Sequence, residues 1–384
     1  MFNASFRIAA MGVLLMGAAH ARTWTDRLGR TFEADFVRID GASVILTLPG
    51  GRIIATPIAD LNAGDQAALK HIEQLRPAIS VSSNLGGAWP REVRLDGPVA
   101  CKVVSEDAAT GRYIYESPGY RFTCDARVTD DALRNFSVMF EATRKYAKAV
   151  PLGLAGRERD GKLDVRLYRN MVQYIWAGGL PRSAGCFTRG AVLVPMESLG
   201  LKEGGTGFSL DAKRDNKVLI HELVHQLTPG IYMQPGVSGW FCEGLAEYMA
   251  ITPYNWGYFS PDIYGNSVKT YVTGHGEGGG GGRALGTRIN VPKLRSFFLM
   301  PYSDYSGSNA NFNYGVGLLL IHYFINVEGG GNTLRLTQFL KGLQAGATGE
   351  AALAPLLGGG SYEKLEGEIA AAWARMGVQL QFGG

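Results

Sequence analysis

Hydrophobic and polar positions change their period several times along this 384-residue chain, and each change marks a segment. Arg7 precedes an unbroken apolar run from Ile8 to Ala18, and Ala19-His20-Ala21 closes it with the small-x-small pattern that signal peptidases cleave. Residues 1–21 therefore read as a signal peptide that sends the mature chain to the periplasm or outside the cell. Over residues 22–78 apolar and polar residues alternate in short runs, broken by the hairpin dipeptides Asp40-Gly41 and Gly50-Gly51. Four or five short strands are expected there, followed by a short helix from Asp65 to Leu75. The stretch from Ile79 to Pro98 is irregular and rich in Ser, Gly and Pro, so residues 79–112 read as a linker followed by strand-like pieces from Val99 onward. Beyond them the period lengthens. Leu133, Phe136, Met139, Phe140, Thr143 and Tyr146 recur at helical spacing and mark a core-facing helix. Lys162 to Asn170 and Ala191 to Pro195 read as strands. Strands followed by a mostly helical remainder make residues 113–384 an α+β domain.

Composition narrows the class. Hydrophobic residues at 46% and charged residues at 19% exclude a disordered chain. The net charge of +4 comes without a basic run or stripe, which leaves nucleic acid little to bind. No segment reaches the roughly 20 apolar residues of a membrane helix, so no membrane span is expected. Cys101, Cys124, Cys186 and Cys242 all lie in the exported part, where disulfides are expected. Three connectivities are open; joining Cys101 to Cys124 would close a hairpin-like segment and leave Cys186 for Cys242.

The chemistry concentrates at Val218 to Leu227, VLIHELVHQL, which holds an HExxH pattern as His221, Glu222 and His225. Leu219, Ile220, Leu223, Val224 and Leu227 give this stretch the apolar face of a helix, and Pro229-Gly230 ends it. On a helix, residues four apart share a face, so His221 and His225 can meet one ion while Glu222 sits one step round as a general base. A catalytic zinc wants a third protein ligand and an open position. Glu243 follows His225 with seventeen residues between them, and Glu247 lies four residues further on. Gly239 to Ala250 has helical periodicity, with Ser238 as N-cap, so the two carboxylates face one way. Glu243 then takes the metal, and Glu247 accepts the other N–H of a ligand histidine.

Two resemblances attach to these patterns. Arg22-Thr23-Trp24-Thr25-Asp26, the stretch Gly41 to Gly50, and Pro57, Leu61, Asp65 and Gln66 follow the pattern of the Sla homology domain, which residues 22–78 resemble. This implies a small SH3-like β-barrel with a peptide or protein ligand and no chemistry of its own. HELVH followed by W-x-x-E-G-x-A-E-Y is similar to the gluzincin metallopeptidases, the class of thermolysin and the alanyl-aminopeptidase-like enzymes. Within that class the likeness over most of residues 113–384 is to the secreted bacterial peptidase-MA-like proteins. It implies a zincin-like domain, a Zn2+ cofactor, a peptide or protein substrate and Glu243 as third ligand, and it supports Glu247 behind a ligand histidine. Tyr314-Gly315-Val316-Gly317 matches a downstream Y-x-x-G motif, which implies that Tyr314 donates to the developing oxyanion; Tyr302 and Tyr305 are rivals for that role. The chain departs from the class at Cys242, where thermolysin-like enzymes carry Asn. Of the aminopeptidase G-x-M-E-N motif only Met196 and Glu197 remain, which leaves Glu197 as a candidate for binding a substrate amine.

The resulting expectation is an exported zinc metallopeptidase in which Glu222 draws the proton from a zinc-activated water, with the edge of strand Ala191 to Pro195 receiving an extended peptide. The alternative is a non-catalytic extracellular binding protein that contains zinc. The Gly-rich stretch Gly274 to Gly286 lacks the Lys-Ser/Thr of a phosphate loop and reads as a mobile loop, with a flap over the cleft as its functional option. His322 is expected as a hydrogen-bonded core residue.

Overall fold

The computed structural model describes residues 22–383 apart from 41–42, 49–52, 75–83, 157, 159, 182, 189, 211–216, 235–236, 238, 262–264 and 275–281. The expected signal peptide and the Ser238 cap lie outside the described residues. Alternation at the N-terminus produces Arg22–Thr25 (β1), Thr31–Asp40 (β2), Ser43–Thr47 (β3) and Ile53–Pro57 (β4), an antiparallel meander in the order β1-β2-β3-β4. Trp24, Ala34, Val44 and Leu46 point to one face and pack with Leu61 and Leu69, the latter from helix α1 (Ala63–Gln74). The SH3-like barrel expected here is corrected to an open sheet, because no strand pairing closes it among the described residues. The free side of β1 is met instead by the approach to α1. Asn62 N–H donates to Thr25 O at 2.9 Å, and Thr25 N–H donates to Asp65 Oδ2 at 2.8 Å. These bonds satisfy Thr25 on the free edge of β1 without a fifth strand.

Residues 84–98 are packed onto the C-terminal part of the chain. Asn84 Nδ2 donates to Lys148 O and Val150 O, both at 2.8 Å, and Trp89 lies edge-on to Tyr248. Val93–Arg94 (β5) pairs with Tyr258–Phe259. Lys102–Asp107 (β6), Arg112–Glu116 (β7), Tyr120–Cys124 (β8), Leu163–Tyr168 (β9), Cys186–Thr188 (β10) and Ala191–Pro195 (β11) form a six-stranded sheet in the order β10-β11-β9-β8-β7-β6. The parallel β8 and β9 need a crossover, supplied by Asp130–Ala149 (α2). Thr129 caps α2, and its predicted stripe is buried: Phe136 and Phe140 meet the rings of Tyr120 and Phe122 on the sheet. The short helix Met171–Trp176 (α3) follows β9.

Two expectations fail in this sheet. Ala191–Pro195 has no edge to offer, since β11 is buried throughout and paired with β9 on one side and β10 on the other. The edge strand on that side of the sheet is β10. The expected disulfides are absent, and all four cysteines are free. Through β7, Cys124 lies opposite Glu106, whereas Cys101 precedes Lys102 at the other end of β6. Five residues of strand at ~3.3 Å each, plus two strand spacings, far exceed disulfide reach. Cys186 packs in a small cluster with Tyr174, Ala191 and Leu193, while Cys242 belongs to the main core.

The rest is mostly helical: Lys217–Leu227 (α4), Gly239–Ala250 (α5), Gly265–Thr273 (α6), Leu294–Phe298 (α7), Tyr302–Tyr305 (α8) and Ala310–His322 (α9). Every residue of α5 is buried, because α4 and α9 both pack against it. The last strand, Gln379–Phe382, pairs with Arg288–Val291 and ties the C-terminus into the domain. The architecture is α+β with several small sheets. Among the described residues no helix is long and apolar enough to cross a membrane.

Candidate metal centre

Helix α4 buries Leu219, Ile220, Leu223, Val224 and Leu227 against the domain, which fixes its rotation and turns His221 and His225 toward α5. Helix α5 runs close to α9 because both carry glycine at the crossing. A Cβ on Gly244 would sit 2.5 Å from Gly317 O, and one on Gly317 would sit 3.3 Å from Gly244 Cα. That approach brings Glu243 beneath the two imidazoles.

Three ligand atoms converge. His221 Nε2 lies 3.0 Å from His225 Nε2 and 3.2 Å from Glu243 Oε2, and His225 Nε2 lies 3.3 Å from the same oxygen. A tetrahedral ion with bonds of ~2.0–2.1 Å holds its ligand atoms about 3.3 Å apart, so the triangle suits one small divalent cation. The surroundings also call for positive charge. Burial disfavours a charged His221, yet the hydrogen bonds it donates to Glu243 and Glu247 outweigh it and push the imidazole up to about 10. Burial likewise opposes charge on Glu243, but His225 and His221 hold that carboxyl well below its usual range. In a buried cluster of two imidazole nitrogens and a carboxylate, a proton or a metal cation must supply the missing charge.

The supporting residues fix the ligands. His221 Nδ1 donates to Glu247 Oε1 at 2.9 Å, leaving Nε2 directed at the cluster. Burial of Glu247 would raise its pKa, but His221 and then Arg283 hold it at about 2. Arg283 reaches Glu247 with Nη2 at 2.5 Å and Nε at 2.9 Å, and Tyr271 Oη donates to the same carboxylate at 3.0 Å. The other oxygen of Glu243 accepts from Tyr302 Oη at 2.6 Å.

Glu222 lies one step round the helix from His221, as its spacing requires. Its Oε2 accepts from Phe187 N–H of β10 at 3.1 Å, and burial raises its pKa above the ordinary carboxyl value. The ring of Tyr314 lies nearly parallel to that of His221, centroids 6.0 Å apart, with the Arg283 guanidinium 5.3 Å from its own centroid. Burial and the charges of Glu243 and Glu222 push its phenol well above the usual range, so it remains a donor. Tyr305, one rival, is buried with its hydroxyl on Asn313 O at 2.6 Å. Glu197 is exposed on the short turn Met196–Leu199 after β11.

No protein-family model, curated protein or solved structure matches this chain. The site therefore rests on its own geometry. Sequence reading did not assign Arg283 or Tyr271, and it offered Tyr302 only as a substitute for Tyr314. The arginine that directly follows the five glycines Gly278 to Gly282 was the available signal for Arg283.

Proposed function

We propose that this chain is an exported zinc-dependent metallopeptidase of the gluzincin kind. It joins a zincin-like domain to an N-terminal module, resembling a Sla homology domain, that takes a peptide or protein ligand. The observation that carries the reading is the convergence of His221 Nε2, His225 Nε2 and Glu243 Oε2 beside a carboxylate, Glu222, that belongs to none of those contacts.

Zinc held by the three side chains supplies Lewis acidity and lowers the pKa of water toward about 7. The chain's own residues do the rest. Glu222, with its carboxyl raised by burial, accepts the proton of the attacking water and delivers it to the leaving nitrogen. Phe187 N–H keeps one Glu222 oxygen fixed while the other is used. Tyr314 donates its phenolic hydrogen to the oxygen on which charge develops. Glu247 and Tyr302 orient His221 and Glu243 so that neither turns away from the ion.

Incubating the mature chain with a mixed peptide library, with and without a chelator, tests this reading. Cleavage that the chelator abolishes and zinc restores is expected. Glu222→Gln should keep its zinc and lose hydrolysis; full activity in that variant would remove the proposed base.

A further inference from the structure

Twelve large apolar side chains are well exposed among the described residues, and four of them fall within residues 172–180: Val172, Ile175, Trp176 and Leu180. Trp176 is 81% exposed and Leu180 60%. The concentration is built into the fold. Asn170 caps α3 by accepting from the N–H groups of Val172 and Gln173 at 2.9 and 3.2 Å. Tyr174 points inward, fully buried, and organises the following turn. Its carbonyl accepts from Gly179 N–H at 2.9 Å, and its hydroxyl accepts from Leu180 N–H at 3.2 Å and bonds Ser183 Oγ at 2.6 Å. A Cβ on Gly179 would lie 2.4 Å from the Tyr174 ring, so only glycine fits against it. The turn thus holds Trp176 and Leu180 outward.

Along the sequence, charge on either side of this tip has one sign. From Asn170 to Pro181 the sequence has no charged residue, with Arg169 directly before and Arg182 directly after. Between Val165 and Met196 it contains four arginines (Arg166, Arg169, Arg182 and Arg189) and no acid. Their charge equals the +4 of the whole chain. The spacing of these arginines hides them from a search for basic runs. Arg166 and Arg169 are both exposed, and Arg169 also reaches Glu203 of the strand Leu201–Gly204 at 3.6 Å.

We propose that the α3 tip docks the protein on an anionic phospholipid surface. Indole and aliphatic side chains partition into the headgroup and acyl boundary, and the flanking guanidinium groups pair with lipid phosphates. An uncharged apolar tip bracketed in sequence by arginines, with Arg166 and Arg169 exposed, suits a uniformly anionic surface better than a protein, whose surface carries both signs. The proposal is independent of the peptidase reading, and its test measures binding alone.

The test is co-sedimentation of the mature chain with vesicles of phosphatidylethanolamine and phosphatidylglycerol, against vesicles of phosphatidylcholine alone. Binding to the anionic vesicles that weakens with added salt is expected. Trp176→Ser with Leu180→Ser, both exposed and free of core packing, should weaken it about tenfold or more. Arg166→Gln with Arg169→Gln should weaken it severalfold and flatten its salt dependence. Acyl-chain bromination should quench tryptophan emission in the wild type and much less in Trp176→Phe. No binding to anionic vesicles, or equal binding by the double serine variant, would overturn the proposal. A concentration-dependent oligomer that this variant abolishes, without vesicle binding, would overturn it too and assign the patch to a second copy of the chain.

Discussion

On the proposed mechanism, a single side chain on α9 would separate metal binding from chemistry. Tyr314 lies against His221 and interacts with Glu243 but supplies none of the three ligand atoms, so Tyr314→Phe should leave zinc bound. Its cost should fall on turnover, by about 10² to 10³, as for other oxyanion donors; kcat measured beside zinc content checks this. His322 gives a second prediction, about stability. It is buried between Trp373 and Tyr248, and its Nδ1 has no hydrogen-bond partner among the described residues. The core position is as expected, while the expected hydrogen bond is missing at Nδ1. Burial lowers its pKa to about 4. The unfolded chain protonates this imidazole near 6.5 while the folded chain does not, so stability falls as pH drops from there to about 4, then levels off. The total loss is about 3 kcal/mol. His322→Leu should remove that part of the acid sensitivity, read from denaturant unfolding across the interval with chelator present; an unchanged pH slope would contradict it.

Among the elements, the glycines at the α5–α9 crossing do the most for the site. Gly244→Ala would drive a methyl into the Gly317 carbonyl at 2.5 Å, costing about 1–3 kcal/mol or more and loosening the seat of Glu243. Gly367→Ala is the control. Gly367 is exposed within the helix Tyr362–Arg375 with nothing near its Cβ position, so the change should stabilise by about 0.5–1 kcal/mol. Thermal unfolding of the two variants compares them directly, and a silent Gly244→Ala would show that the crossing can relax. Helices α2 and α4 were legible in sequence because each shows an apolar stripe against polar neighbours. Helix α5 was legible over its whole span, Gly239 to Ala250, from the spacing of its apolar residues; that it is buried on all sides was not. The N-terminal strands were legible from alternation, but closure was not, since alternation gives faces and says nothing of which edges meet.

For the whole molecule, sequence spacing within α4 and α5 was enough to name His221, His225, Glu243 and Glu247, because local helical geometry sets which side chains share a face. What surrounds them was not legible. Arg283, Tyr271 and Tyr302 reach the cluster from segments between 24 and 59 residues beyond the carboxylates they touch, brought there by packing alone. The same limit explains the cysteines, for which proximity in sequence suggested a pairing that the strand register forbids. Because the cluster draws its ligands from two helices packed on one core, a bound ion should also stabilise the fold, by about 2.7 kcal/mol at a hundredfold excess over its Kd. The most direct test of the central claim is the metal content of the purified mature chain, by elemental analysis, beside that of His225→Ala. The account predicts a single zinc per wild-type chain and its loss from the variant; a metal-free wild type, or a variant that keeps full occupancy, would contradict it.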